Sequence, residues 1–250
     1  MEKQIIVDTL KINYLEAGDS DLPPLLLLHG WGASAARWSG LIACFQRDFH
    51  VVAPDFPGFG KSEEPEDVWD SLSYCELTEA FLRAVKVKNP VVIAHSFGGG
   101  IGMMLAVRGF AAKLILVDSA GLPHRRRFGA KIEAAKKRFA SSRFGQNRGS
   151  APEEQETSVA PLMPAFYAAV AAEDLHSYLE RIKIPTLLVW GSRDTETPLS
   201  DGEEMERILK GNGVDSALIV LTGFGHHACF EAEKRFYRIC DAFLREGNEG

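Results

Sequence analysis

The sequence predicts an α/β fold, a mostly parallel eight-stranded sheet with helices on both faces, on three observations. Short apolar runs recur along the chain, helical patterns lie between them, and one run passes into a helix through a single serine. Gln4–Leu10 and Lys11–Leu15 alternate polar and apolar residues, as an antiparallel pair at a sheet edge does. Leu25–Leu28 is continuously apolar, which a strand covered on both faces requires. His50–Ala53, Val91–Ala94, Leu114–Val117, Thr186–Trp190 and Ala217–Leu221 share that character. Helices are expected near Ala35–Phe45, Ser73–Val85, Phe97–Val107, Asp201–Leu209 and Glu231–Leu244. Strand–helix–strand alternation implies right-handed crossovers between parallel neighbours. The rhythm lapses between Ser119 and Thr186, where an Arg-rich helix, a polar loop and a further helix carry no strand. The chain therefore divides into a core of residues 1–120 and 185–250 and a helical lid of residues 121–184.

With 250 residues, 46% of them hydrophobic, the chain can bury a sizeable core as one domain with an insertion. A net charge of −6 argues against a dedicated nucleic-acid binder. The four cysteines, Cys44, Cys75, Cys229 and Cys240, are widely spaced and form no C-x-x-C pair. They read as reduced, mostly buried residues of a cytoplasmic protein. Neither a signal-peptide pattern at Met1–Val7 nor a membrane-spanning apolar stretch is visible.

The chemistry is concentrated in loops that follow strands. Val91–Ala94 runs through His95 into Ser96, and Phe97-Gly98-Gly99-Gly100 opens the next helix. A strand joined to a helix with no loop forces Ser96 onto a sharp, strained turn with its Oγ exposed at the sheet's edge. This is the G-x-S-x-G nucleophile elbow, with Ala94 in place of the first glycine. Trp190-Gly191-Ser192-Arg193-Asp194 follows another strand and offers an acid to orient a histidine; Asp118, after Leu114–Val117, is the rival. Asp194 is favoured, with Asp118 stabilising backbone at its strand end. Gly223-Phe224-Gly225-His226-His227 follows the last strand, and His226 is assigned as general base. A metal reading of the adjacent histidines has little behind it, since neighbouring side chains diverge and no further Cys or His cluster completes a coordination sphere. The chain order is thus Ser96, Asp194, His226: nucleophile, acid, base. No cofactor is called for.

Together these motifs resemble the α/β-hydrolase fold superfamily over nearly the whole chain, and more narrowly a group of small bacterial serine hydrolases and esterases. Asp55-Phe56-Pro57-Gly58-Phe59-Gly60-Lys61-Ser62 is similar to that family's D-x-P-G-x-G-x-S turn. The resemblance implies a Ser96–His226–Asp194 triad and an oxyanion hole built from the backbone N–H groups of Trp31, in His29-Gly30-Trp31-Gly32, and Phe97. His29 is expected to bond loop backbone and take no part in proton transfer. Members of the group often carry arginine where this chain has Gly100. Serine as nucleophile sets the chain apart from dehalogenases and epoxide hydrolases, whose elbows carry aspartate.

The implied activity is cleavage of small-molecule carboxylic esters through an acyl-enzyme. Carbon–carbon bond hydrolysis on the same scaffold, or a slow ligand-binding sensor, are the alternatives. Met163, Phe166 and Tyr167 are candidates for the substrate pocket, beside plain core packing. His124, Arg125, Arg126, Arg127, Lys131, Lys136, Lys137, Arg138, Arg143 and Arg148 crowd one stretch of the lid. A solvated helical face explains them; the sharper reading is steering of an anionic substrate or an acyl carrier.

Overall fold

The computed structural model describes residues 1–123, 163–171 and 173–245. Eight strands form one sheet: β1 Glu2–Val7, β2 Leu10–Ala17, β3 Pro24–Leu28, β4 His50–Pro54, β5 Val91–His95, β6 Lys113–Val117, β7 Thr186–Gly191 and β8 Ser216–Leu221. Their order is β1-β2-β4-β3-β5-β6-β7-β8. β2 runs antiparallel to β1 and β4, and every other neighbouring pair is parallel.

The apolar runs are continuous because each strand supplies two cores, and alternate residues go to opposite faces. Leu26, Leu28, Val52, Val92, Ala94, Leu114, Leu116 and Leu188 join one cluster. Leu25, Leu27, Val51, Ile93, Ile115, Val117, Leu187 and Val189 join the other. The first face is covered by α2 (Ser71–Ala84), α3 (Phe97–Val107), α5 (His176–Leu179) and α6 (Leu199–Gly211), the second by α1 (Ser39–Phe45) and α8 (Glu233–Arg245). A 3₁₀ turn at Ala35–Trp38 precedes α1, and the short α4 (Met163–Ala171) and α7 (Ala228–Glu231) complete the set among the described residues.

Several helices differ from the sequence reading: Ala35–Phe45 divides into a 3₁₀ turn and α1, and α6 extends two residues past Asp201–Leu209 at each end. α2 starts at Ser71 rather than Ser73, because Asp70 is the cap: its Oδ1 accepts from Ser73 N at 2.8 Å. The last helix is broken between α7 and α8, where Ala232 leaves helical geometry at φ −108°, ψ 36°. Most of the lid expected at residues 121–184 lies outside the described residues, including the basic stretch from His124 to Arg148. No helix among the described residues is long and apolar enough to cross a membrane.

The chain leaves β3 for β4 on one side and returns to β5 on the other. Strand order therefore reverses at β3, and a crevice opens beyond the carboxyl ends of β3 and β5. His29–Gly32 and Ser96 stand at those two ends.

Candidate active site

Ser96 joins β5 to α3 with φ 54° and ψ −119°, a conformation that L-residues seldom adopt. Its own backbone holds it there. Ser96 N donates to Val117 O at 3.0 Å, and Ser96 O accepts from Gly99 N and Ala120 N, each at 2.9 Å. The helix starts close to the sheet because Gly98 has no side chain: a Cβ there would lie 2.6 Å from His29 O. Alanine at position 94 is accommodated one helical turn further along the same face, where a Cβ on Gly102 would lie 3.0 Å from Ala94 Cβ. The departure from glycine in the elbow is thus matched by a glycine in α3.

Ser96 Oγ is 2.8 Å from His226 Nε2, and His226 Nδ1 is 2.7 Å from Asp194 Oδ2. Asp194 is acceptor-saturated: Oδ1 takes Glu196 N at 2.7 Å and Thr197 N at 3.0 Å, and Thr197 Oγ1 lies 2.8 Å from Oδ2. Burial pushes the Asp194 carboxyl up, but the hydrogen bond and charge of His226, with the Glu196 amide and Thr197 hydroxyl, carry it below its ordinary value. With an ionised acceptor at Oδ2, Nδ1 carries the imidazole proton and Nε2 faces the serine as acceptor.

His95, which the sequence reading passed over as a flank of the elbow, supports this arrangement. Its Nε2 donates to His226 O at 2.7 Å, and its ring packs 5.0 Å from that of His226. Burial, then the neighbouring His226, lowers its pKa to about 3, so it holds the donor form throughout the working range. The residue before the serine therefore holds the backbone of His226. The signal was a histidine inside an otherwise apolar strand end. His227 is exposed, with its ring 5.6 Å from that of His95.

Asp118, the rival acid, is fully buried but engaged elsewhere. Its Oδ1 accepts from Gly191 N at 2.7 Å and ties the end of β6 to β7, while Oδ2 has no partner among the described residues. Burial pushes this carboxyl up to about 8; the Gly191 amide opposes the shift, and the charge of Asp194 adds to it. A carboxyl raised this far is protonated in both folded and unfolded chains below its ordinary value of 3.8. Between there and about 8 the folded chain holds the extra proton, so stability falls as pH rises through that window and levels above it. Asp118→Asn keeps an acceptor for Gly191 N and removes the titration. Thermal unfolding of this variant is expected to show a flatter slope from pH 4 to 8, each kcal/mol recovered being worth roughly 2–4 °C in Tm. An unchanged slope would assign the pH dependence to other groups.

The loop after β3 is pinned by His29, whose Nδ1 donates to Gly30 O at 2.8 Å while Nε2 accepts from Phe56 N at 3.0 Å. Gly30 sits against the elbow, since a Cβ on it would lie 3.0 Å from Ser96 Cβ. Among the described residues, Ala33 N donates to Gly30 O and Gly99 N to Ser96 O, and no loop or cap hydrogen bond is made by Trp31 N or Phe97 N. The rings of Trp31 and Phe97 meet edge to face at 5.3 Å.

A cavity opens beside Ser96 and His226, lined by Trp31, Phe97, Gly100, Tyr167, Val170, Ala171, Glu173 and Leu175 among others. Tyr167, Val170 and Ala171 share one face of α4, and Tyr167 packs on Trp31 at 5.3 Å. Phe166 is a correction to the sequence reading. It is fully buried in the core and does not line the cavity, because adjacent helical residues point about 100° apart. The Met163 side chain lies outside the described residues. Gly100 lines the cavity, and among the described residues a Cβ there would meet only Leu175 Cδ1, at 2.8 Å.

Comparison with known proteins agrees with this architecture. The alpha/beta hydrolase fold family matches residues 23–170, and the TAP-like protein family matches residues 166–249. A Saccharomyces cerevisiae protein named as an uncharacterized hydrolase is 35% identical over 104 residues, 41% of this chain, which spans about a third (36%) of that relative's length. The crystal structure of a membrane phospholipase A, described as a bacterial virulence factor, is 28% identical with a TM-score of 0.85, over 100% of this chain and 87% of that one. An esterase from Exiguobacterium antarcticum shares the fold at 23% identity and a TM-score of 0.83, over 98% of this chain and 100% of that one. With an elbow serine between β5 and α3 and a family match across most of the chain, this protein belongs to the alpha/beta hydrolase fold family.

Proposed function

We propose that the protein is a serine esterase that cleaves carboxylic esters through an acyl-enzyme, with Ser96 as nucleophile, His226 as general base and Asp194 as its orienting acid. The observation that carries this reading is the hydrogen-bonded series Asp194–His226–Ser96, at 2.7 and 2.8 Å, ending in a cavity. A serine hydroxyl is a weak nucleophile at neutral pH and needs a base within hydrogen-bond reach. The relatives named as a phospholipase A and an esterase point to the same bond type.

His226 Nε2 takes the Ser96 proton as Oγ bonds to the ester carbonyl carbon, and the carbonyl oxygen becomes an oxyanion facing the Trp31 and Phe97 amides. Asp194 stabilises the imidazolium without taking its proton. The carbon–oxygen bond to the alcohol breaks as His226 returns the proton to the leaving oxygen. Water then adds to the acyl carbon, again giving its proton to His226, and the acid departs as Ser96 Oγ recovers that proton.

A fluorophosphonate probe and a panel of p-nitrophenyl acyl esters test the proposal together. Stoichiometric labelling at Ser96 with multiple turnovers is the expected result. Labelling without turnover would replace the esterase by a ligand-binding sensor, and no labelling would remove Ser96 as an activated nucleophile.

A further inference from the structure

One wall of the cavity carries a carboxylate that the proposed chemistry does not use. Glu173 follows α4, and its Oε1 accepts from Ser71 N, the first residue of α2, at 2.9 Å. Leu175 N donates to Gly121 O at 2.9 Å, so the segment is anchored again two residues beyond Glu173. Those bonds account for the position of the residue. They leave Oε2 buried, with no hydrogen-bond partner among the described residues. The cavity that Glu173 lines is also walled by Leu122, Val170 and Leu175, and Gly100 places no side chain in it. A buried acceptor without a donor carries a desolvation penalty, which a ligand that supplies the donor removes.

The charge around the cavity points the same way. Glu196 also lines it, 53% exposed, with Oε2 3.8 Å from His226 Nε2. No lysine or arginine is among the described lining residues. A negative potential in a low-dielectric cleft attracts cations and repels anions.

We infer that Glu173 selects substrates bearing a hydrogen-bond donor, ammonium ahead of hydroxyl, on the part that enters the Ser71–Leu175 side of the cavity. This rests on the esterase reading for its reaction but not for its binding preference. It differs from the anionic substrate that the basic stretch at residues 125–148 suggested, a stretch that lies outside the described residues.

The test compares ethyl esters of straight-chain acids of six to eight carbons ending in methyl, hydroxyl, ammonium or carboxylate. A second series of acetates has the same variation in the alcohol. Both are followed by pH-stat with the full-length protein. The series that responds identifies which half of the ester meets Glu173. Ammonium-ended members should exceed methyl-ended ones in kcat/KM by roughly 10- to 100-fold, with hydroxyl between them. Glu173→Gln keeps an acceptor for Ser71 N and replaces Oε2 by an amide. It should collapse the ammonium-to-methyl ratio, a readout from which any general loss of activity or folded protein cancels. Independently of turnover, Ser96→Ala should bind n-hexylammonium at least about 10-fold more tightly than hexanoate by calorimetry, and the double variant with Glu173→Gln should lose that difference. If no ester is cleaved and fluorophosphonate leaves Ser96 unmodified, the esterase reading fails, and the calorimetric comparison still decides the role of Glu173. A carboxylate-ended ligand equal to or better than its ammonium counterpart, or ratios indifferent to Glu173→Gln, would overturn the inference.

Discussion

Ser96→Ala is expected to lower kcat on any ester by about 10⁶ while leaving the fold intact. The magnitude follows from the geometry. Oγ is the atom that His226 Nε2 faces at 2.8 Å, and nothing adjacent replaces it, since Phe97 and His95 flank it on either side in the chain. The strained backbone at φ 54° belongs to the turn and persists with alanine, so the variant should unfold within a few degrees of the parent. Residual catalysis of about 10³–10⁴ over water would remain from the amide donors and binding. The measurement is single-turnover and steady-state hydrolysis beside thermal unfolding. Retention of most of the activity in a folded variant would end the Ser96 assignment.

Asp194→Asn is expected to cost about 10⁴ in kcat, from tautomer rather than from position. An asparagine can keep the bonds from Glu196 N and Thr197 N through its carbonyl, yet its amide nitrogen would present a donor to Nδ1. The imidazole would then turn its proton toward Ser96 and lose its capacity to accept. Asp118 does not substitute, because its Oδ1 is committed to Gly191 N. Steady-state kinetics of Asp194→Asn, Asp118→Asn and the double variant would separate the two acids. An Asp194→Asn enzyme within tenfold of the parent would shift the orienting role to another carboxylate.

Much of this was legible in the chain because parallel strands buried on both faces, as β3 to β7 are, must be apolar throughout, and each of the six from β3 to β8 stood out within a residue or two. The loops that follow strands were equally readable: Ser96, Asp194 and His226 each stand within a few residues of a strand's carboxyl end, and topology brings those ends together. What escaped is set by rotation and by distant contacts. Phe166 and Tyr167 are equivalent in composition, and only the phase of α4 sends one into the core and the other to the cavity. Glu173 looked like any acidic loop residue until Ser71, 102 positions earlier, was seen to occupy one of its oxygens. His95 was hidden for the same reason, its partner lying 131 positions away. The break at Ala232 left no mark, since the apolar spacing continues across it.

The contact between the rings of Trp31 and Phe97 ties substrate fit to chemistry. Phe97 is also wedged against Phe56 at 5.4 Å and Tyr74 at 5.2 Å, while Trp31 reaches Phe59 and Tyr167. On the proposed esterase reading, the two main-chain donors, Trp31 N–H and Phe97 N–H, thus belong to residues whose side chains line the cavity. Remodelling position 31 to admit a bulkier ester would displace a donor in the same stroke. In this scaffold, new specificity is more readily reached through Val170 and Ala171 on the α4 wall, which line the cavity without a ring contact to Trp31 or Phe97.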